Sequence, residues 1–276
     1  MIMNKFHPLT ITSINRLTAD AVAISFNVSN NTLFQFEAGQ YITIKKDING
    51  EEVRRAYSIC SMNSEGVTIG VKKVETGRMS SFLTQSVKEG DVLNVMPPSG
   101  NFVIKGDNKH IVGICAGSGV TPIIAMIKTE LAKPSDAKFT LIYGNKTKDS
   151  SMFAEELHQL QINNSDRLKI HNAYSREGVA GAINGRLDKN TIQQLLNTFM
   201  SLKTADAYFI CGPGELIDNT NELLLLNNIN QKKINFERFT TVEKTDVTDN
   251  DSDEIISNIL VSVDGEDFEF TLSNKG

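Results

Sequence analysis

Two different rhythms in one chain predict a two-part fold: a small antiparallel β-barrel, then an α/β unit built on a parallel sheet, with a partial β-hairpin unit at the end. Residues 7 to about 104 hold short runs in which apolar and polar positions alternate, separated by Gly and Asn turns. Beyond the polar break Lys105-Gly-Asp-Asn-Lys109, apolar runs of strand length alternate with helical stretches. Two glycine-bearing turns, Cys115-Ala-Gly-Ser-Gly-Val-Thr-Pro122 and Cys211-Gly-Pro-Gly-Glu215, each follow an apolar run and precede a helical one.

In the first part, Val22, Ile24 and Phe26 alternate with smaller or polar residues, as do Tyr41-Ile-Thr-Ile44 and Val67-Thr-Ile-Gly-Val71. Several short strands at this spacing predict a barrel. One helix, over 79–87, interrupts it. In the second part, His110-Ile-Val-Gly-Ile114 feeds a helix over 121–131 whose Ile123, Ile124, Ile127 and Leu131 share one face. Strands at 139–143, 168–174 and 208–211 and helices near 151–160 and 188–200 continue the alternation, the pattern of a parallel sheet covered by helices.

Residues 240–254 are different: Glu243, Asp246, Asp249, Asp251, Asp253 and Glu254 stand against Lys244 with no periodicity, a linker composition. Then Ile259-Leu-Val-Ser-Val263, Asp264-Gly265 and Phe268-Glu-Phe-Thr-Leu272 read as a hairpin with an Asp-Gly turn. An isolated hairpin is marginal in water, so this one is expected to be the first two strands of an incomplete unit. The expected division is 1–106 barrel, 107–239 α/β unit, 240–257 acidic linker and 258–276 hairpin.

The 276 residues, 40% apolar and 22% charged, can bury a substantial core. A net charge of −5 argues against a nucleic-acid surface, which requires a basic face. Cys60, Cys115 and Cys211 are too few and too scattered for a disulfide framework or a metal site, and are expected to be reduced thiols. No apolar run has membrane-spanning length and the N-terminal residues lack a signal-peptide core, so a cytoplasmic protein without a membrane partner is expected.

Candidate chemistry begins at Arg55-Ala56-Tyr57-Ser58. A flavin needs an aromatic face, a donor near its N5 atom and a cation for its diphosphate. Tyr57, Ser58 and Arg55 can supply these, provided that the strand bends to bring Ser58 to the face of the other two. A solvated Arg beside a packed Tyr is the plainer alternative. Val71-Lys72 and Gly77-Arg-Met79-Ser80 precede or open the barrel helix, where amides and a hydroxyl make an anion site, unless Ser80 is simply a helix cap. Gly117-Ser-Gly119-Val-Thr121-Pro122 lies between strand and helix, suited to a diphosphate or to a plain turn; Pro122 stands where the third glycine of the usual dinucleotide fingerprint would fall. Ser175-Arg176 follows a strand at the sheet's carboxyl edge and suits a 2′-phosphate, or is an ordinary surface turn. Cys211-Gly212-Pro213 combines a small thiol with bare backbone that could admit a nicotinamide ring; the alternative is a buried strand-end Cys.

Together these ordered motifs, over about residues 5–239, resemble the ferredoxin–NADP reductase superfamily. Within it, Arg55-Ala-Tyr-Ser-Ile-Cys-Ser61 is most similar to the reductase components of phenylacetyl-CoA ring-epoxidising oxygenases. The resemblance implies an FAD-binding barrel followed by an NADP-binding domain, with NADPH preferred to NADH. It implies FAD contacts from Arg55, Ala56, Tyr57, Ser58, Val71, Lys72, Gly77, Met79 and Ser80. It implies nucleotide contacts from Gly117, Gly119, Thr121, Asn145, Lys146, Ser175, Arg176, Cys211, Gly212 and Pro213, with Glu237 and Phe239 near the flavin. Ser58, Thr121 and Cys211 would carry the catalytic positions, and no metal site is expected. Relatives continue into a plant-type ferredoxin domain whose [2Fe–2S] cluster is held by C-x₄-C-x₂-C and a distant Cys. Those cysteines are absent here, so the cluster is expected only in a longer parent protein. The implied activity passes electrons from NADPH through FAD to an iron–sulfur centre and an oxygenase, in phenylacetate (aromatic) degradation. A stand-alone NAD(P)H–flavin or haem-protein reductase and a non-catalytic flavin-binding regulatory protein are the alternatives.

Overall fold

The computed structural model describes residues 5–29 and 31–239, and the backbone of 256–263 and 266–273. Contacts divide the chain into two units, Met1–Phe239 and Thr240–Gly276.

Six antiparallel strands open the first unit: β1 (His7–Thr18), β2 (Ala21–Phe26), β3 (Tyr41–Ile48), β4 (Glu51–Ser58), β5 (Thr68–Lys72) and β6 (Val92–Val95). Their order is β4-β3-β6-β1-β2-β5. The ring is closed where β4 runs past β5: Ile59 bridges Ile69, and the Cys60 amide donates to the Thr68 carbonyl at 2.8 Å. Alternation sets the inside, with Ile42 and Ile44 fully buried between half-buried Tyr41 and Thr43. Ile24, Ile69 and Val71 meet them in one core, roofed by Met79 and Leu83 of α1 (Arg78–Gln85). The helix starts at Arg78 and ends two residues short of the expected position. Its Ser80 is not the N-cap, which is Gly77; the hydroxyl instead accepts from the Val74 amide and donates to the Gly77 carbonyl.

The parallel sheet comprises β7 (His110–Ala116), β8 (Lys138–Asn145), β9 (Leu168–Tyr174), β10 (Ile183–Asn184), β11 (Ala207–Gly212) and β12 (Ile234–Arg238). The helices are α2 (Val120–Ala132), α3 (Ala154–Asn163), α4 (Lys189–Thr198) and α5 (Gly214–Leu226). The strand order is β10-β9-β8-β7-β11-β12. The chain steps outward from β7 through β10 and then returns to the other side of β7, so the order reverses between β7 and β11. Such a switch point opens a crevice at the carboxyl ends of the strands.

Three differences from the periodicity have local causes. Helix α2 buries Val120, Ala125 and Met126 as well as Ile123, Ile124 and Ile127, because it lies between the sheet and the barrel rather than on a surface. Helix α3 begins at Ala154, since Thr147 and Ser150 close a capping box on a 3₁₀ turn and Phe153 stands in the left-handed region at φ 59°. Helix α4 stops at Thr198, where the chain tightens into a 3₁₀ turn over Met200–Lys203.

Barrel and sheet share a continuous apolar seam, in which Ala21, Ala23, Cys60 and Phe102 pack with Ile123, Met126, Met152 and Phe153. Glycine is required there: a Cβ on Gly70 of β5 would stand 2.5 Å from the Thr121 methyl and 3.1 Å from Met152 Cε. No described helix is long and apolar enough to cross a membrane.

In the second unit, β13 (Ile256–Val263) pairs antiparallel with β14 (Glu266–Ser273), from Ile256↔Ser273 to Val263↔Glu266. The hairpin is longer than expected at both ends and takes residues 256–257 from the expected linker. The rest of that linker, and the Asp264-Gly265 turn, lie outside the described residues.

Candidate functional site

Strands β7 and β11 run in register through Ile114↔Ile210 and Cys115↔Cys211, then part. The turn after β7, Gly117–Gly119, is a single 3₁₀ turn that runs directly into α2. Gly119 lies against the end of β11: an added Cβ would be 2.2 Å from the Cys211 carbonyl oxygen. Gly117 sits at φ 55°, and the space where its Cβ would point is open. Its carbonyl accepts from the buried Tyr143 hydroxyl at 3.2 Å, which also donates to Met152 O at 3.3 Å. Thr121, 2% exposed, donates to Ser118 O at 2.9 Å and stiffens the helix start. The crevice is a cavity of about 440 Å³. Gly117, Asn145, Lys146 and Ser175 line one side, Gly212, Pro213 and the half-exposed Phe239 the other.

The barrel reaches this crevice at one point and meets the sheet at another. Lys72, at the end of β5, lines the cavity, donates to the Ser150 carbonyl at 3.1 Å and pairs with Asp20 at 3.6 Å. The resemblance implied a flavin role for Lys72, but its side chain crosses the seam to the nucleotide side. The second point is the end of β4. Strand alternation lapses after Val53: Arg54, Arg55 and Ala56 are all exposed, Tyr57 is half-buried, and Ser58, Ile59 and Cys60 are all buried. Pairing with β3 nevertheless stays in register to Tyr41↔Ser58, so Ser58 keeps the face opposite Arg55 and Tyr57 and is covered there by β12. The Ser58 hydroxyl donates to Glu237 Oε2 of β12 at 3.2 Å, and Glu237 is the register partner of Cys211. Ser58, Glu237 and Cys211 thus converge from the barrel and from two strands of the sheet.

Burial sets the electrostatics of this junction. Desolvation pushes the Glu237 carboxyl up to about 7, against the opposing bond from Ser58. It also drives the Cys211 thiol well above its ordinary value, with the Glu237 charge adding to the effect, so Cys211 is a neutral thiol. Burial likewise raises Tyr57, opposed by the Arg55 charge.

Other expected site residues lie elsewhere. The side chains of Val71 and Met79 belong to the barrel core and Ser80 is buried with its hydroxyl bonded locally, which leaves only backbone groups of this segment for a ligand. Arg55 is exposed and donates to Arg54 O at 2.7 Å. Ser175 lines the cavity and Arg176 does not; the Arg176 amide donates to Lys146 O at 2.8 Å. The arginine that does line it is Arg186, with Leu187 and Asp188, the latter capping α4. Local pattern gives no sign of Arg186, because the strand before it, β10, is two residues long.

The residues fit the groups that the resemblance implies. Lys72, Lys146 and Arg186, the amides at the start of α2 and the open space over Gly117 form an anion-binding cradle suited to a dinucleotide. Exposed Arg55 and Ala56 beside the half-buried Tyr57 leave a cationic and aromatic strip on β4 suited to FAD.

Two family models match consecutive parts of the chain. Residues 8–104 match the family described as "Oxidoreductase FAD-binding domain" and residues 114–222 that described as "Oxidoreductase NAD-binding domain". The chain is 35% identical over 246 residues to a component of the 1,2-phenylacetyl-CoA epoxidase of Escherichia coli (strain K12), covering 87% of this chain and 69% of that protein. It is 28% identical over 272 residues to the ferredoxin reductase component of 3-ketosteroid-9-alpha-monooxygenase from Rhodococcus rhodochrous, covering 94% and 74%. Among solved structures, the flavohem-like FAD/NAD binding domain of nitric oxide dioxygenase from Vibrio cholerae O1 biovar El Tor superposes with a TM-score of 0.76 at 22% identity. That match covers 86% of this chain and 99% of that one, and shows a shared fold.

Proposed function

The chain belongs to the FAD- and NAD-binding oxidoreductases of the ferredoxin reductase family, and from that premise we propose that it draws electrons from NADPH and delivers them to an iron–sulfur centre serving an oxygenase. It is an FAD-dependent NAD(P)H oxidoreductase. The observation that supports the proposal is the junction of Ser58, Glu237 and Cys211, where the end of β4 meets β12 and β11, the strands that lead into Phe239 and Gly212 of the crevice.

When bound, the two cofactors supply the chemistry, hydride transfer from nicotinamide to flavin and release of electrons one at a time. The protein's part is binding, orientation and exclusion of water. The start of α2 with Lys72 and Lys146 would hold the diphosphate, and Arg186 the 2′-phosphate. Cys211 is fully buried in the core and keeps the end of β11 compact and uncharged, while Gly212 and Pro213 after it line the crevice and leave bare backbone for a flat ring. Ser58, itself buried, donates its hydroxyl to Glu237, which can hold or release a proton at Ser58 Oγ near neutral pH. Thr121 anchors the helix start beside Gly70, so the barrel and the crevice keep one spacing.

The acceptor and its pathway are read from the relatives' names. One is part of an epoxidase acting on phenylacetyl-CoA and another is the ferredoxin reductase component of a monooxygenase. An oxygenase partner in phenylacetate degradation is the reading these support. The C-x₄-C-x₂-C pattern does not occur in the 276 residues, so on this reading these residues deliver electrons to the cluster and do not hold it.

Preference for NADPH is assigned to Ser175 together with Arg186 rather than to Arg176, because Arg186 is the arginine that lines the cavity. Arg186→Ala and Arg176→Ala are compared with both dinucleotides, using FAD-loaded protein and ferricyanide as acceptor. Arg186→Ala is expected to lower kcat/KM for NADPH by about 10- to 100-fold, the loss of one charge-assisted phosphate contact, and to spare NADH. Equal losses for the two dinucleotides would remove the 2′-phosphate assignment. A wild-type chain that oxidises neither would refute the reductase reading itself.

A further inference from the structure

Away from the crevice, one lysine joins the barrel to the sheet's helices. Lys128 of α2, with only 14% of its side chain exposed, places its ammonium 2.7 Å from Glu65 Oε2 and 3.1 Å from Glu156 Oε1. Glu156 belongs to α3; Glu65 ends the 3₁₀ turn Asn63–Glu65 in the loop that carries the chain from Ser58 back into β5. That loop is internally stiff. Glu65 also accepts from the Met62 amide at 2.8 Å, and the Ser61 hydroxyl donates to Gly66 O at 2.6 Å. Force applied at Glu65 is therefore transmitted to Ser58 rather than absorbed.

The same seam holds a backbone outlier. Phe153, which precedes α3, is a bulky residue at φ 59° and is 7% exposed. An ideal Cβ on Gly70 would lie 3.3 Å from its ring. A left-handed aromatic residue persists only where its surroundings hold it. Burial alone would lower the pKa of Lys128, but the bond to Glu65 and the Glu156 charge outweigh it, so the ammonium stays charged.

We propose that Lys128 is a positioning residue for hydride transfer: by clamping Glu65 of the barrel and Glu156 of α3, it fixes the loop from Ser58 to β5 against α2 and so sets the spacing of Ser58 from Glu237 and Cys211. This inference rests on the reductase reading. Near-attack geometry is steep, about 100-fold in rate per ångström, so a displacement of about half an ångström costs about tenfold.

The test uses Lys128→Met, Glu65→Gln and the conservative Lys128→Arg in the FAD-loaded chain. Lys128→Met and Glu65→Gln are expected to retain FAD and the wild-type KM for NADPH while single-turnover flavin reduction slows about tenfold. Lys128→Arg is expected to restore the rate. In the flavin-free chain, amide hydrogen exchange over 58–66 should rise in both disruptive variants with the melting temperature unchanged. Wild-type reduction rates with unchanged exchange would overturn the positioning role. Loss of FAD together with a lowered melting temperature would also overturn it, marking the triad as a folding strut. A wild-type chain that neither dinucleotide reduces would instead strike the reductase reading.

Discussion

Gly119→Ala is expected to destabilise the chain by about 3 kcal/mol and to weaken NADP⁺ binding at least about tenfold, although one methyl group is all that it adds. Gly119 has φ −61°, a conformation open to alanine, so backbone strain does not enter. The obstacle is steric. The new Cβ would stand 2.2 Å from the Cys211 carbonyl oxygen, 2.5 Å from its carbon and 2.9 Å from the Gly212 nitrogen, all main-chain atoms of β11. No side chain can rotate away. Either the start of α2 lifts off the crevice or the pairing of Cys115 with Cys211 opens. Gly117→Ala is the control for stability: nothing lies within 4 Å of its added Cβ, so the fold bears the strain of φ 55°, about 1–2 kcal/mol, and no clash with β11. Chemical denaturation of the two variants, and NADP⁺ titration of Gly119→Ala, check the prediction; equal losses of stability would contradict it.

The second large effect belongs to Glu237. Its carboxyl has an ordinary value of 4.5 and is raised to about 7 in the folded chain, chiefly by desolvation. The folded state therefore keeps a proton that the unfolded chain gives up. This contribution to stability is complete below about 4.5 and is lost as pH rises through about 7. Relative to Glu237→Gln, which cannot ionise, the wild type should lose up to about 3 kcal/mol between about pH 5 and pH 8. Denaturant midpoints of both chains across that range give the measurement. Parallel curves would show that Glu237 is ionised at no special cost and would remove the proton-holding role at Ser58.

The barrel and the alternating sheet were legible because each is written in local periodicity: Ile42 and Ile44 of β3, and the face of Ile123, Ile124 and Ile127 on α2, need only neighbouring residues to be recognised. The glycine turn after β7 was legible for the same reason. What local pattern could not show is where distant segments meet. Ser58 and Glu237 are 179 positions apart, and only the strand order that sets β12 beside β11 brings the carboxylate to the hydroxyl. Arg186 was hidden because a two-residue strand has no period. Lys72 looked like a flavin ligand from its place beside Val71, yet it reaches Ser150 across the seam. Nothing in the local pattern marks Lys128, on which two carboxylates from different elements close. The left-handed Phe153, which delays α3, likewise reflects packing against Gly70 rather than any turn residue.

The central claim is that the barrel and the crevice form one electron path from dinucleotide to flavin. The most direct test mixes the FAD-loaded chain anaerobically with NADPH, and separately with NADH, and follows the flavin absorbance. Rapid bleaching by NADPH and slow bleaching by NADH is the predicted result. A chain that remains unreduced by both, after FAD has been supplied, would contradict the account.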